Sequence, residues 1–368
     1  MKEIISIVNA WRKTDFLKMK AALATVVRVD GSSYRRTGAR MLVLDNGVYF
    51  GGISGGCLEG DALRKAQKAI FKNKPSIITY DTTQEDGQQV GIGLGCNGII
   101  DILITPLDKS DDDPVYLLSL ISETREPRVL ISIVECEENK GLLGKTILFK
   151  NEKQFLESFP IKDISLKALK DIQVALKNET SETVAYNAAE GTMKIFIEII
   201  IPAIHLIIYG SNYDILPTAT IGKELGWNVT VVTNIAKANK LLLEKATNII
   251  DNKSGLQPWI DNYSAIVLMA HDYKTDINNL QQALTTTVPY IGLLGPRKRS
   301  EKMFDELNKQ NIIISEQDME RIYAPCGLDI GAINPEEIAL SIAAEIRACF
   351  AGRKGMPLKY RPGNIYSD

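Results

Sequence analysis

The stretch Ile204-His205-Leu206-Ile207-Ile208-Tyr209-Gly210-Ser211-Asn212-Tyr213-Asp214 decides how the second half of this chain folds. An apolar run that stops at a glycine and passes into helical spacing reads as a buried strand entering a helix. The same rhythm continues downstream. Candidate strands are Asn228–Thr233, Thr247–Ile250, Ser264–Met269, Val288–Leu293 and Ile312–Ile314. Helical patterns lie between most of them, notably Asp214–Leu225, Asp276–Thr285 and Arg297–Gln310. Strands alternating with helices predict an α/β fold with a Rossmann-like, doubly wound parallel sheet. A last helix is expected at Pro335–Cys349, with Asn334 as N-cap and Pro335 in the first turn.

Upstream of Pro202 the pattern differs. The first 20 residues read as a helix with Ile4, Ile7, Val8, Trp11 and Phe16 near one face. A β-rich run Ala21–Val29 follows. Met41–Leu44 and Val48–Phe50 flank Asp45-Asn46-Gly47, and Asn-Gly is a hairpin signal. Leu58–Phe71 has helical spacing, and Ile99–Thr105 reads as a strand ending before Pro106. A helix at Val115–Thr124 and a strand at Pro127–Val134 come next, while Lys145–Pro202 is mixed. These readings give an N-terminal α+β domain over residues 1–200 and a C-terminal Rossmann-like domain over 201–368.

Composition narrows the function classes. Across 368 residues, 45% are hydrophobic and 24% charged, as in ordinary globular domains. Lys plus Arg total 43 against 45 Asp plus Glu, a balance of 43 − 45 = −2, so no basic excess invites nucleic acid. The five cysteines are dispersed and contain no CxxC, and only His205 and His271 offer imidazole. A disulfide framework, a zinc site and an iron–sulfur site are therefore not expected. The apolar run Ile195–Ile208 is too short and too interrupted to cross a bilayer. A cytoplasmic, reducing location is expected.

Three segments carry candidate chemistry in the first domain. Gly51-Gly52-Ile53-Ser54-Gly55-Gly56-Cys57-Leu58-Glu59 runs straight into a helix. Glycines admit a ligand to the backbone, N–H groups at a helix start attract anions, and the same groups stabilise a thiolate at Cys57. The plainer reading is a tight strand-to-helix turn with a small buried cysteine. Gly91-Ile92-Gly93-Leu94-Gly95-Cys96-Asn97-Gly98 contains G-x-G-x-x-G, but a strand follows it, so a β-turn presenting Cys96 fits better than a dinucleotide loop. Gly31-Ser32-Ser33-Tyr34-Arg35-Arg36-Thr37-Gly38-Ala39-Arg40 sets three arginines among small residues, which suits an oxyanion or else a solvated loop.

In the second domain Gly210 is kept after the first strand, but Asn212 stands where a second glycine would be, and Thr233-Asn234 lacks a ribose-binding acid. NAD(P) is therefore doubtful. Gly295-Pro296-Arg297-Lys298-Arg299 opens a helix after a strand and is a candidate anion contact. His271, after the Ser264–Met269 strand, and Asp329 complete the candidates.

As an ordered set, the following motifs resemble the XdhC/CoxI family, the xanthine dehydrogenase accessory proteins. They are Ala24-Thr25-Val26-Val27 leading to Gly31-Ser32-Ser33, Gly38-Ala39-Arg40-Met41, Ser54-Gly55-Gly56-Cys57-Leu58-Glu59-Gly60, Gly93-Leu94-Gly95-Cys96-Asn97-Gly98, His271-Asp272, Tyr290–Gly295, Arg299, Gly327–Gly331 and Pro335–Ala339. The resemblance implies binding of the molybdenum cofactor (molybdopterin), support for its sulfuration by a cysteine desulfurase, and insertion into an apo molybdenum hydroxylase. The role is that of a chaperone rather than an enzyme, and a homodimer is expected. Carried onto this chain, the cofactor-binding residues are Gly31, Ser32, Arg35, Arg36, Arg40, Ser54, Gly55, Gly56, Cys57, Glu59, Cys96, Gly210, His271, Arg297, Arg299 and Asp329, with Cys57 and Cys96 as molybdenum contacts. Family members commonly have a His-containing glycine turn at 210–214 and Asp-Arg at 233–234, which this chain lacks. An NAD(P)-linked oxidoreductase, and a redox sensor or scaffold using Cys57 and Cys96, are the competing readings.

Overall fold

The runs His205–Tyr209 (β10), Asn228–Thr233 (β11), Ser264–Leu268 (β13) and Tyr290–Leu293 (β14) are buried almost throughout, as strands covered on both faces must be. With Asn248–Asp251 (β12) and Ile322–Tyr323 (β15) they form a six-stranded, wholly parallel sheet in the order β12-β11-β10-β13-β14-β15. One face packs on the helices Ile215–Glu224 and Pro335–Cys349, through Ile215, Ala219, Ile342 and Ile346. The other packs on Tyr273–Leu284 and Arg297–Lys309, through Ile277, Leu280, Met303 and Leu307. The fold is thus α/β with a doubly wound Rossmann-like sheet. This computed structural model describes residues 1–81, 98–188, 191–235, 246–254 and 260–362. The chain divides into two units, Met1–Pro202 and Ala203–Asp368.

The first unit is built on two antiparallel sheets. Ala21–Gly31 (β1), Arg40–Leu44 (β2), Tyr49–Gly51 (β3), Ser76–Asp81 (β4) and Gly98–Leu107 (β5) make one, in the order β3-β2-β1-β5-β4. Arg128–Cys136 (β6), Thr146–Phe149 (β7), Glu182–Ala188 (β8) and Gly191–Ile200 (β9) make the other, in the order β7-β6-β9-β8. Helix Glu59–Lys72 covers one face of the first sheet with Ala62, Ala66 and Ile70. Helix Lys2–Lys13 packs on the opposite face, together with Pro114–Ser122. Helices Glu152–Ser158 and Lys162–Asn178 cover the second sheet. Val27, Leu103, Val134 and Phe196 pack between the sheets.

Four expectations need correction. The first helix ends at Lys13, because Thr14 turns extended and Asp15 caps the following turn. Strand β5 runs through Pro106, which pairs only with Ala22 of β1; β4 reaches no further than Ile104, so the missing N–H faces no partner strand. Ile312–Ile314 is not a strand. Asn311 at φ 58° ends the helix, and Ile312 and Ile314 pack on the core as coil. The sixth strand lies beyond a short helix, Glu316–Arg321, which a Ser315–Asp318 capping box starts. The mixed region Lys145–Pro202 resolves into β7, two helices, β8 and β9.

Candidate functional site

One end of the first sheet gathers the glycine segments. Gly31 closes β1 and pairs with Gly98 at the start of β5. A Cβ at Gly98 would stand 2.5 Å from Asp30 O and 2.6 Å from Ser32 O, so only glycine permits this approach. Gly51 ends β3 at φ 81°, and a Cβ there would meet Arg40 O at 2.4 Å. The loop beyond it reaches back to the first loop. A Cβ at Gly55 would lie 3.1 Å from Tyr34 Cγ, so the Tyr34 ring rests on the Gly55 backbone. Gly56 stands at φ 112°, and among the described residues nothing lies within 4 Å of its missing side chain. Gly31 and Ser32 are exposed and Cys57 is half-buried.

The loop is held by its own side chains. Ser54 Oγ donates to Glu59 Oε2, and Ser54 N donates to Glu59 Oε1 at 2.8 Å. Ser54 Oγ in turn accepts from Gly56 N at 3.2 Å and Leu58 N at 3.1 Å. Burial works to raise the Glu59 carboxyl, but the Ser54 hydroxyl and nearby backbone N–H groups outweigh it and leave Glu59 below the usual carboxylate range. The anion expected at this helix start is thus supplied in part from within the chain, by Glu59. Cys57 Sγ lies 3.9 Å from Ser54 Oγ.

The arginine loop is less open than its sequence suggested. Arg40 is 3% exposed; its Nη2 bonds Glu198 and its Nη1 donates to Gly38 O at 2.7 Å. It ties β2 to β9, and burial removes it from the surface a cofactor would touch. Arg35 pairs with Glu3 at 2.5 Å and Glu3 also accepts from Arg40 N. Arg36 is half-buried. Cys96 and residues 91–97 lie outside the described residues. Among the described residues no group of three or more His, Cys, Asp or Glu could hold a metal ion, and no helix is long and apolar enough to cross a membrane.

The second unit has its own polar edge. Gly210 follows β10, and a Cβ there would meet Met269 O at 2.7 Å, so packing against the neighbouring strand end requires this glycine. His271 follows β13 at φ 57° and its Nε2 lies 2.5 Å from Asp214 Oδ2. Asp276, 2% exposed, accepts from Arg299 at 2.7 Å and from Ala270 N at 3.2 Å. Burial raises the Asp276 carboxyl against the pull of the Ala270 N–H, Arg299 and His271. Arg297 is exposed at a helix start. Asp329 is exposed on the segment after β15 and makes no hydrogen bond or ion pair among the described residues. The sequence reading overlooked Tyr34 and Asp214. Both lay inside quoted segments, but their partners are set by the fold.

Family comparison follows the same division. Residues 18–81 match the XdhC and CoxI family and residues 206–346 match the XdhC Rossmann domain. Over 331 residues the chain is 28% identical to a probable subunit of xanthine dehydrogenase from Bacillus subtilis, covering 89% of this chain and 92% of that one. It is 22% identical to the Escherichia coli molybdenum cofactor insertion chaperone PaoD, over 89% of this chain and 82% of PaoD. The crystal structure of a xanthine dehydrogenase from Bacillus halodurans superposes with a TM-score of 0.72 at 25% identity, covering 98% of this chain and 99% of that one.

Proposed function

Because this chain belongs to the XdhC and CoxI family, we propose that it is a molybdenum cofactor insertion chaperone for a xanthine dehydrogenase-type enzyme. The cofactor is its cargo. The observation that carries the reading is the convergence of Gly31, Ser32, Tyr34, Gly55 and Gly98 at one sheet end, beside an open Gly56 and a half-buried thiol at Cys57.

The residues fit such a cargo. Glu59 fixes Ser54, Ser54 fixes the backbone of Gly56 and Leu58, and Cys57 is held between them. A thiol on a rigid loop is a soft ligand suited to a molybdenum–sulfur centre. Gly56 leaves room for a flat ring system to approach, and the exposed Tyr34 ring offers it an aromatic wall. Arg40 acts from behind, by holding β2 against β9, rather than by contact. An apo molybdenum hydroxylase is the recipient in this reading and a cysteine desulfurase the sulfur donor. The protein works as a cytoplasmic homodimer and turns nothing over.

Expression in a host that makes molybdopterin tests this. The purified protein is oxidised, and pterin fluorescence and molybdenum are measured together. Stoichiometric pterin that disappears in Cys57→Ala is the expected result. A folded wild-type protein free of pterin, or full retention in Cys57→Ala, refutes the site.

A further inference from the structure

We propose that the helix Pro335–Cys349, with the segments that flank it, is a self-complementary face through which two copies of this chain pair, antiparallel about a two-fold axis. The inference names the surface of the homodimer put forward above, and it rests on that part of the reading alone.

The face divides by charge. Residues 329–340 hold Asp329, Glu336 and Glu337 and no Lys or Arg. Residues 347–361 hold Arg347, Arg353, Lys354, Lys359 and Arg361 and no Asp or Glu. Both halves also show large apolar side chains to solvent. In the acidic half these are Ile330, Ile333 and Leu340, and in the basic half Met356, Leu358 and Tyr360. Single exposed apolar residues are ordinary on any surface, but a run of them rimmed by charge marks a place where another molecule sits.

Burial separates two sides of the helix. Ala339, Ile342, Ala343 and Ile346 are buried on the side of the parallel sheet. Glu336, Leu340 and Arg347 are exposed and Ala344 is half-buried. Spacings of four, four and three put these last four residues on one stripe. Glu337 is taken up by the capping box, where it accepts from Ile333 N at 2.7 Å and Asn334 N at 3.3 Å. Glu336 and Arg347 make no side-chain hydrogen bond or ion pair among the described residues.

The stripe therefore reads acid, leucine, alanine, arginine from one end to the other. Turned over about an axis through its middle, it brings Glu336 to the second copy's Arg347 and Leu340 to the second copy's Ala344, which is small enough to receive it. A two-fold pairing makes each contact twice. Beside Ala344 lies an apolar groove of about 600 Å³, whose lining includes Ala348, Met356 and Leu358 together with Arg353 and Lys354. The acidic, apolar half of a second copy matches it in both charge and polarity. A partner that is acidic alone would match the basic half and leave Ile333, Glu336 and Leu340 uncovered, whereas a second copy matches both halves at once.

Sedimentation velocity of the full chain tests this between about 1 and 50 μM. The wild type is expected at twice 40.7 kDa. Glu336→Arg and Arg347→Glu each set like charges against one another at both contacts, and each should weaken the dimer by about tenfold or more. Leu340→Asp, at an exposed position, should do the same. An equimolar mixture of Glu336→Arg and Arg347→Glu chains restores opposite charges at both contacts and should return a dimer within about threefold of wild-type affinity. Each reversal also opposes the helix dipole, but mixing leaves that effect unchanged, so a regained dimer reports a contact between copies. A mixture no better than its components overturns the proposal. So does a wild type that is monomeric at about 50 μM, which would leave the groove to a different acidic partner. A wild-type dimer that none of the three substitutions weakens refutes this face while keeping the homodimer. Pterin retention is measured on the same samples, so the pairing and the chaperone reading can fail independently.

Discussion

Replacing Glu198 by Leu should destabilise the first unit far more than it disturbs any surface. The Arg40 side chain is 3% exposed and Glu198 8%. Arg40 Nη2 bonds Glu198, while Nη1 is satisfied by Gly38 O at 2.7 Å and Nε has no partner among the described residues. Removing the carboxylate leaves a guanidinium buried with one hydrogen bond, and breaking such a pair from one side costs about 3–5 kcal/mol. In a unit of this size about 1 kcal/mol moves the melting point by about 2–4 °C, so a fall of about 6–20 °C is expected. Removing both charges is different. Arg40→Met with Glu198→Leu takes away the penalty with the partner, and most of the lost stability should return. Calorimetry and urea unfolding of the single and double variants measure this. A loss below about 1 kcal/mol in Glu198→Leu, or a double variant no better than the single, refutes the buried-pair reasoning. Pterin retention in the refolded double variant then tests whether Arg40 supports the site only from behind.

Three further outcomes follow from other contacts. Asn334→Ala removes the capping box that starts the helix Pro335–Cys349 and should cost about 1 kcal/mol in the second unit, measured by urea unfolding. Glu59 titrates below its ordinary value of 4.5 in the folded chain, so its contribution is complete at neutral pH and is lost as pH falls below about 4.5. The stability gap between wild type and Glu59→Gln should therefore be flat above pH 5 and close under acid; a gap that widens under acid contradicts the assignment. Burial, then the Glu345 carboxylate, push the Cys326 thiol up to about 12. Iodoacetamide at pH 8 should modify Cys326 in the native protein more than about a hundredfold more slowly than a free thiol, as mass spectrometry of labelled peptides would show.

The parallel sheet was legible because its strands are buried on both faces and appear as unbroken apolar runs. The Pro335–Cys349 helix was legible because its cap is local. Ile312–Ile314 misled for a related reason: an apolar triplet after a helix reads as a strand whether it pairs or packs as coil, and only the pairing of Ile322–Tyr323 with β14 separates the two. The second antiparallel sheet was hidden because β9 takes its partner from β6, some sixty residues earlier. The site divides the same way. Ser54, Cys57 and Glu59 lie within six residues, and their cooperation could be anticipated from the chain. The partners of Arg40 and His271 lie 158 and 57 residues away, and nothing local announces them.

That long separation has a consequence for synthesis. Arg40 leaves the ribosome 158 residues ahead of Glu198, so at about 5–20 residues per second its partner follows about 8–30 s later. Strand β6 must likewise await β9, which ends at Ile200. Throughout that interval the first sheet is a nascent body with an uncompensated cation and an open apolar face. Completion comes only when the last strand of the first unit emerges, while most of the second unit is still unmade. The glycine-lined end needs only β1 to β5 and can form once Leu107 has emerged, whereas the Arg40–Glu198 pair and the second sheet close only in a late step, when β9 follows.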